Sequence, residues 1–336
     1  MLYQVLVWST KSRWEMVAHI QQLVADDFAA LNRTVVAQLH SEVPLIESIG
    51  HYITEAGGKR MRPVLVLLTT NNLGYTGNDH IELATVIEFL HTATLLHDDV
   101  VDMSEMRRGR PTANTKWDNP SSVLVGDFIY SRAFELLVNI GDMAIMDVMA
   151  STTNKISEGE VLQLVNQHNP QATEADYMQV IRNKTAILFA AACKSAAILA
   201  GADDSTRENL HTFGLQVGMA FQLVDDVLDY SGSSEAMGKN VGDDLSEGKP
   251  TLPLIYVMQH GNDAEKALIE SAIRTGVSDN TETIMDTVKN SGALEYTKAK
   301  AVDCIDSALQ CLDCLPENDF KNGLAAVADA ALNRES

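Results

Sequence analysis

Two acidic stretches, each at the end of an apolar run, carry the side chains whose spacing best suits chemistry. LLHDDVVD supplies Asp98, Asp99 and Asp102, and FQLVDDVLD supplies Asp225, Asp226 and Asp229. On a helix each residue turns by about 100°, so the first and last acids of a triplet lie one turn apart on one face. Carboxylates at that spacing form an open, all-oxygen site, which suits Mg²⁺ shared with a substrate phosphate.

A single triplet would be weak evidence in a chain with 46 acidic residues, because a solvated helix end has the same composition. Two triplets that each close an apolar helix are harder to explain in that way. Six carboxylates around one cavity would repel one another and raise one another's pKa values unless cations lay between them. The repeat therefore predicts a site for divalent cations.

Basic side chains in other segments indicate what the cations would hold. Arg107 and Arg108 follow the first triplet, Lys59 and Arg62 lie in GGKRMRP, and Lys184 interrupts an Ala-rich helix. Arginine binds phosphate in bidentate fashion, and lysine binds it as a point charge. GGKRMRP alone is equally compatible with a basic solvated turn, and Lys184 with a side chain that reaches the surface.

An apolar cavity bordered by such groups suits a substrate with a diphosphate head and a hydrocarbon tail. Mg²⁺ would stabilise the diphosphate as a leaving group. Its departure from an allylic carbon would leave a carbocation, which needs a dry pocket and stabilisation by helix dipoles and backbone carbonyls.

The composition excludes some classes of protein. The chain of 336 residues has a formal net charge of −21, so it lacks the cations with which a protein neutralises nucleic-acid phosphates. It has no run of about 20 apolar residues, so no transmembrane segment is predicted. Cys311 and Cys314 form a CxxC but share an apolar helical stripe with Cys304, which favours packed thiols over a redox or zinc site. Unpaired thiols fit a reducing, cytoplasmic compartment.

The hydrophobic periodicity predicts an all-α protein, because no long segment alternates with period two. The longest predicted helices are 79–103, 119–139, 142–166, 174–201 and 203–230, with shorter ones after residue 251. No Walker, dinucleotide-binding or HExxH motif is found.

Local signals place some helix starts and the domain boundary. Pro44 and Pro63 fall in the first turns of two helices, and the NPSS that begins at Asn119 offers a capping serine. Residues 1–15 read as an N-terminal extension, with Met16 as an alternative start, and 16–336 as one domain.

The chain resembles the trans-isoprenyl diphosphate synthases, the polyprenyl synthetase family, over nearly its whole length. The resemblance rests on five motifs in family order: GGKRMRP, LLHDDVVDMSEMRRGRPTAN, the Lys184-Thr185 pair, FQLVDDVLDY and GKNVGDDLSEGKPTLP. It implies the isoprenoid synthase fold, a large helical bundle around a central cavity. It also implies a homodimer, Mg²⁺ as cofactor, and repeated condensation of isopentenyl diphosphate onto an allylic diphosphate such as farnesyl diphosphate.

The resemblance implies a role for each matching residue. Isopentenyl diphosphate would be bound by Lys59, Arg62, His91 and Arg108. The allylic diphosphate would be bound by Arg107, Lys184, Thr185, Gln222 and Lys239, the last in a glycine-rich loop that is a candidate lid. Mg²⁺ would be bound by Asp98, Asp99, Asp102, Asp225, Asp226 and Asp229. The catalytic set would be Asp98, Asp99, Asp102, Lys184, Thr185, Asp225, Asp226 and Lys239.

The helix that precedes the first triplet also predicts product length. Side chains one to three turns before Asp98 would line a tunnel for the growing chain: Ile87, Leu90, Ala93 and Thr94. None is aromatic, whereas short-chain relatives carry a bulky aromatic residue at the fourth or fifth position before the first aspartate, here Thr94 and Ala93. The resemblance therefore implies a long product of octaprenyl size, with a floor near Leu136 or Leu137. We expect Ala93→Phe to shorten it.

Three other interpretations remain open. A terpene cyclase of the same fold usually carries an Asn/Ser/Glu metal motif on the second helix. A non-catalytic regulatory subunit of a prenyl synthase typically lacks some aspartates, and this chain lacks none. His97-Asp98 is also compatible with the HD pair of a metal phosphohydrolase, which would need further histidine ligands. His91 alone would most often be a core residue, but it lies within about 20° of the helical face of Asp98.

Overall fold

The computed structural model describes residues 20–231, 242–276 and 281–334, most of which are helical. The predicted N-terminal extension and Lys239 lie outside these residues. The longer helices of the first part are α1 (Ala25–Gln38), α2 (Pro44–Glu55), α3 (Met61–Asn72) and α4 (Asp79–Val101). They are followed by strands β1 (Met106–Arg107) and β2 (Arg110–Pro111) and by helices α5 (Ala113–Lys116), α6 (Asn119–Ile140), α7 (Met143–Asn166) and α8 (Glu174–Ile181).

A π-helical turn, Arg182–Ala186, joins α8 to α9 (Ile187–Leu199). The remaining helices are α10 (Asp204–Ser231), α11 (Asp243–Ser246), α12 (Leu252–His260), α13 (Asp263–Thr275), α14 (Thr281–Asn290), α15 (Ala293–Cys311) and α16 (Asp319–Leu332), with a 3₁₀ turn at Leu312–Cys314. The all-α prediction is confirmed.

Three local features differ from the sequence-based expectations. The helix predicted over 174–201 is interrupted by the π turn, and β1 pairs with β2 in an antiparallel ribbon that no alternation indicates. The cap of α6 is Asp118, whose side chain accepts a hydrogen bond from the backbone N–H of Ser121 at 2.7 Å. Since Pro120 stands in the first turn, both serines already lie inside the helix, and the expected serine cap was wrong.

The core is built around α4 and α10, which carry the two acidic triplets at their C-terminal ends. α4 packs against α6 and α3, whereas α10 packs against α9 and α15. The close approach of α9 and α10 depends on glycine. A Cβ atom at Gly214 would lie 2.4 Å from the Phe189 carbonyl oxygen, and one at Gly218 would lie 2.6 Å from the Ala186 Cα. α9 is Ala-rich and buried on nearly every side, as expected of a central helix.

A second apolar cluster is formed largely by α12, α13, α14 and the start of α15, and it includes Tyr230 at the end of α10. The four cysteines are free, and the Sγ atoms of Cys311 and Cys314 each donate to a backbone carbonyl at 3.3 Å. Cys314 is exposed, so the expectation of packing was wrong for that thiol. Within the described part of the chain, no helix is long and apolar enough to cross a membrane.

Candidate active site

The ends of α4 and α10 border a cavity of about 410 Å³, together with the π turn and α7. Its acidic lining consists of Asp98, Asp102, Glu160, Asp225, Asp226 and Asp244. Its basic lining consists of Arg62, Arg107, Arg108, Lys184, Lys249 and Arg334. Carboxylates suited to cations and cations suited to phosphates therefore face the same space.

The first acidic triplet divides between the cavity and the protein interior. Asp98 and Asp102 line the cavity, as their spacing on one helical face predicts. Asp99 is 1% exposed, does not line the cavity, and accepts hydrogen bonds from Arg107 at 2.7 and 2.8 Å. Burial raises the pKa of Asp98, and the nearby ammonium of Lys184 opposes that shift. Asp99 thus holds Arg107 in place.

The second triplet divides in a different way. Asp225 and Asp226 line the cavity, whereas Asp229 is fully buried and does not. Asp226 accepts hydrogen bonds from the Tyr177 hydroxyl at 2.6 Å and from the Gln222 amide at 2.8 Å. Burial, followed by the charge of Asp244, raises the pKa of Asp226 to about 8. Its carboxyl group therefore carries a proton more readily than an exposed aspartate does.

Thr185 extends this polar chain, because its hydroxyl donates to the Gln222 side-chain oxygen at 3.0 Å. Asp225 is paired with Arg334, whose guanidinium lies 3.9 Å from the centroid of the Phe221 ring. A residue from the C-terminal end of the chain thus lies against the second triplet.

The predicted isopentenyl site lies at another part of the cavity wall. Arg62 stacks on Phe189 at 4.3 Å, and burial lowers the pKa of Arg62 to about 10. Burial and the positive charge of Arg62 hold the pKa of His91 well below its ordinary value, so the ring is neutral near pH 7. The Arg108 guanidinium lies against Gly58, about 3.0 Å from where a Cβ would stand. Lys59 does not line the cavity.

Two lysines are held by acids at the cavity wall. Lys184 donates to Glu160 at 2.6 Å and lies 3.8 Å from Asp98. Burial lowers the pKa of Lys184, but the charges of Asp98 and Glu160 outweigh burial and raise it above the ordinary value. Burial and the charge of Asp98 raise the pKa of Glu160 to about 7. Lys249 lies 3.2 Å from Asp102 and also pairs with Glu247.

The cavity acids suit a divalent cation whose coordination shell is completed by oxygens of a bound substrate. Among residues 20–231, 242–276 and 281–334, no group of three or more His, Cys, Asp or Glu side chains is arranged to hold a metal ion. The available donors are hard carboxylate oxygens on two cavity walls, and the pKa values of Asp98 and Asp226 are raised. Such donors suit Mg²⁺ or Ca²⁺, whose remaining ligands would be oxygens of a substrate.

A second cavity of about 270 Å³ lies beside the first, between α4, α6 and α7. Thr94, Asp98 and Glu160 line both cavities. The second one is further lined by Leu90, His97, Asp127, Tyr130, Thr153, Ile156 and Ser157. A space with more apolar lining therefore opens beside the acidic site.

Only some of the predicted tunnel residues line a cavity. Leu90 and Thr94 line the second cavity, whereas Ile87 and Ala93 are fully buried and line neither. Tyr130 and Ile156 border the second cavity, whereas Leu136 and Leu137 do not. Leu136 instead lines a third cavity, of about 760 Å³, that also has Tyr130 in its wall. The helix turns its Leu90 and Thr94 face towards α6 and α7, and the Ala93 face packs into the core.

Several cavity residues were not predicted from the sequence: Glu160, Gln163, Tyr177, Asp244, Lys249 and Arg334. Glu160 and Gln163 carried a usable signal, since they lie three residues apart on one face of a helix. Tyr177 and Arg334 reach the site only through tertiary packing, which local spacing does not encode.

The HD interpretation finds no support. His97 lies 3.3 Å from Asp127 and 3.2 Å from the Val123 carbonyl oxygen, and no histidine-rich metal group occurs among the described residues.

Comparison with known proteins agrees with this geometry. The family model described as Polyprenyl synthetase matches residues 43–290. Over 317 residues the chain is 46% identical to the octaprenyl diphosphate synthase of Escherichia coli strain K12, covering 94% of this chain and 98% of that protein. Over 312 residues it is 47% identical to the all-trans-nonaprenyl-diphosphate synthase (geranyl-diphosphate specific) of Rhodobacter capsulatus, covering 93% and 96%.

A solved structure shares the fold closely. The polyprenyl synthase of Caulobacter crescentus CB15, complexed with calcium and isoprenyl diphosphate, superposes with a TM-score of 0.93 and is 40% identical. The match covers 95% of this chain and 98% of that one.

Proposed function

The chain belongs to the polyprenyl synthetase family, and from that premise we propose that it elongates an allylic diphosphate with isopentenyl diphosphate to an octaprenyl product. The observation that carries the proposal is the adjacency of the two cavities, which share Thr94, Asp98 and Glu160 in their walls. Asp98 belongs to both, so a diphosphate head bound among the acids has an adjacent space for its hydrocarbon tail. The relatives at 46% identity favour this long-chain activity over a cyclase or a regulatory subunit.

We propose Mg²⁺ as the cofactor. When bound, it would neutralise the allylic diphosphate and assist its departure. Asp98, Asp102, Asp225 and Asp226 would hold it, because their carboxyl groups face the cavity. Asp99 and Asp229, which were predicted as ligands, would lie in the protein interior next to the metal-binding aspartates and would not bind the metal directly.

The chain's own residues would divide the two diphosphates between them. Arg107, oriented by Asp99, and Lys184 would bind the allylic diphosphate, and Arg62, Arg108 and neutral His91 the isopentenyl one. The allylic carbon–oxygen bond breaks, the isopentenyl double bond supplies the electrons for the new carbon–carbon bond, and a proton leaves to the departed diphosphate.

Further members of the predicted set would act around the reacting carbons. Thr185 and Gln222, joined by a hydrogen bond, would steady the allylic group and the cation. Lys59 would contribute to the isopentenyl site and Lys239 to the allylic site.

The decisive experiment is an elongation assay. Purified protein is incubated with farnesyl diphosphate, labelled isopentenyl diphosphate and Mg²⁺, and the dephosphorylated products are separated by chromatography. The proposal expects polyprenols up to octaprenol, and little product with EDTA or with Asp98→Asn. Cyclic hydrocarbons would identify a cyclase, and absent incorporation would identify a regulatory subunit.

We also propose a homodimer that uses α6 and α7. These neighbouring helices expose several large apolar side chains: Leu124, Val138, Met143, Val161, Leu164 and Val165. Exposed apolar side chains concentrated on two helices are typical of an interaction surface. We further propose a cytoplasmic location, supported by the four free thiols, and a product that serves as the side chain of a quinone such as ubiquinone.

A further inference from the structure

Lys184 is held at its ammonium group by two residues of α7. Its Nζ atom donates to Glu160 Oε2 at 2.6 Å and to Gln163 Oε1 at 2.7 Å. Glu160 and Gln163 lie three residues apart, so both project from one face of the helix. The side chains of Lys184 and Glu160 are only 19% and 26% exposed, which limits competition from water.

The backbone of Lys184 is fixed by the same helix. A Cβ atom at Gly159 would lie 2.6 Å from the Lys184 backbone nitrogen and 2.9 Å from the Asn183 carbonyl carbon. The π turn therefore rests directly on α7 at a position where only glycine fits. Gly159 and its neighbour Glu160 thus locate both ends of the Lys184 side chain.

This arrangement leaves the ammonium group oriented and available. A lysine side chain is a flexible four-carbon stem, so an unheld ammonium would move to the nearest carboxylate. Apart from Glu160 itself, the nearest carboxylate paired with the Lys184 ammonium is that of Asp98, 3.8 Å away. Of the three N–H donors of Lys184, Glu160 and Gln163 use two, which leaves one for an anion in the cavity.

We propose that Glu160 and Gln163 are positioning residues that aim Lys184 at the allylic diphosphate and keep it off Asp98. The inference rests on the proposed function, because it names how the allylic site is organised. Glu160 lines both cavities and therefore stands where the diphosphate head would meet the hydrocarbon tail.

Kinetics of Glu160→Ala, Glu160→Gln and Gln163→Ala test the proposal. We expect Glu160→Ala to raise the KM for farnesyl diphosphate by about tenfold, because one charge-assisted hydrogen bond is lost. The KM for isopentenyl diphosphate should change little. Glu160→Gln should recover much of the loss, since its amide oxygen still accepts from Lys184. Adding Glu160→Ala to Lys184→Ala should have no further effect.

The matched control is Glu158→Ala. Glu158 is an exposed acid of the same helix that pairs with Lys155 at the surface, so its removal should leave both KM values unchanged. Thermal unfolding followed by circular dichroism checks that each variant folds. If Glu160→Ala does not fold, the KM values of Gln163→Ala and Glu160→Gln test the proposal instead.

Equal rises in both KM values, or an unchanged KM for farnesyl diphosphate, would overturn the inference. If the wild-type protein does not elongate farnesyl diphosphate, the proposed function fails instead. Calorimetric titration with inorganic pyrophosphate and Mg²⁺ then tests the inference alone. Weaker binding by Glu160→Ala but not by Glu158→Ala would support it, and equal binding would refute it.

Discussion

The pKa of Asp226 is determined by the groups around its carboxyl group. It accepts hydrogen bonds from Tyr177 and Gln222, and burial with the charge of Asp244 raises its pKa from the ordinary 3.8 to about 8. The unfolded chain releases this proton near the ordinary value, whereas the folded metal-free protein retains it. Between those values the native state binds more protons, so its stability falls as pH rises.

The first prediction concerns this titration. In EDTA, the unfolding temperature of the wild-type protein should fall between pH 5 and pH 8, with Glu160, whose pKa is about 7, contributing in the lower part of the range. Asp226→Asn should flatten the fall, because its amide does not titrate. Calorimetry at several pH values measures how the unfolding temperature of the wild-type protein and of Asp226→Asn changes with pH. The same pH dependence in both proteins would contradict the raised pKa of Asp226.

The second prediction concerns Lys249, which spacing did not identify. Its ammonium lies 3.2 Å from Asp102 and also pairs with Glu247. Lys249→Ala removes a cation from the cavity, so kcat/KM for farnesyl diphosphate should fall by about 10- to 100-fold, the equivalent of one charge-assisted contact. Lys289→Ala, at an exposed site on α14, is the control and should have wild-type kinetics.

At the scale of elements, α4, α6 and α7 border the second cavity, which is the proposed path of the growing chain. Thr94 lines both cavities and so stands at their junction, and Tyr130 borders the second cavity from α6. Ala93 is fully buried in the core, so its replacement by Phe is now expected to cost about 1–3 kcal/mol of stability through overpacking. The residue that best tests product length is therefore Thr94.

The third prediction concerns Thr94 and Tyr130, which both line the second cavity. Thr94→Phe should place a ring at the junction and shift the products to shorter polyprenols, whereas Tyr130→Ala should enlarge the second cavity and shift them to longer ones. Chromatography of dephosphorylated products gives both distributions. Unchanged lengths in both variants would show that the growing chain follows another route.

The fourth prediction concerns the contact of α9 with α10. Gly218→Ala would place a methyl group 2.6 Å from the Cα of Ala186, the last residue of the π turn before α9, so α10 must move away from that turn. A loss of about 1–3 kcal/mol in the free energy of unfolding is expected, measured by urea titration. Gly50→Ala on α2 is the control. There the new methyl group would meet the buried side chain of Leu39, with Cδ2 at 2.9 Å, and no backbone atom, so a smaller loss is expected because the gain in helix propensity opposes the cost.

At the scale of the whole molecule, the exposed apolar residues of α6 and α7 bear on assembly. The fifth prediction is that light scattering after size exclusion gives the mass of two chains for the wild-type protein. Leu124→Glu with Val165→Glu should give one chain, because charges would be buried at the interface. Met103→Glu, at another exposed apolar position, should remain a dimer.

The sequence was sufficient for the helical architecture and for the placement of the two aspartate triplets at helix ends. Helical spacing correctly placed Asp98 and Asp102 on the cavity face. The same spacing failed for the second triplet, in which Asp226 lines the cavity and Asp229 does not. Asp99 turns to Arg107, and Asp229 is buried in the core. Those orientations depend on how α4 and α10 pack.

Local patterns missed two further kinds of feature. The π turn, Arg182–Ala186, has four polar residues in five, a composition that an ordinary α-helical turn can also have, so hydrophobic periodicity does not disclose it. Arg334 approaches Asp225 across 109 positions of the chain, and no local pattern reports such a contact.

The π turn has a consequence for the length of the chain. A π turn accommodates about one residue more than an α-helical turn, so deleting one residue within 182–186 would let α8 and α9 merge into one regular helix. That helix would be locally less strained. However, α8 would rotate by about 100° relative to α9, carrying Tyr177 away from Asp226. We therefore expect any single-residue deletion in this segment to abolish activity even where the protein still folds.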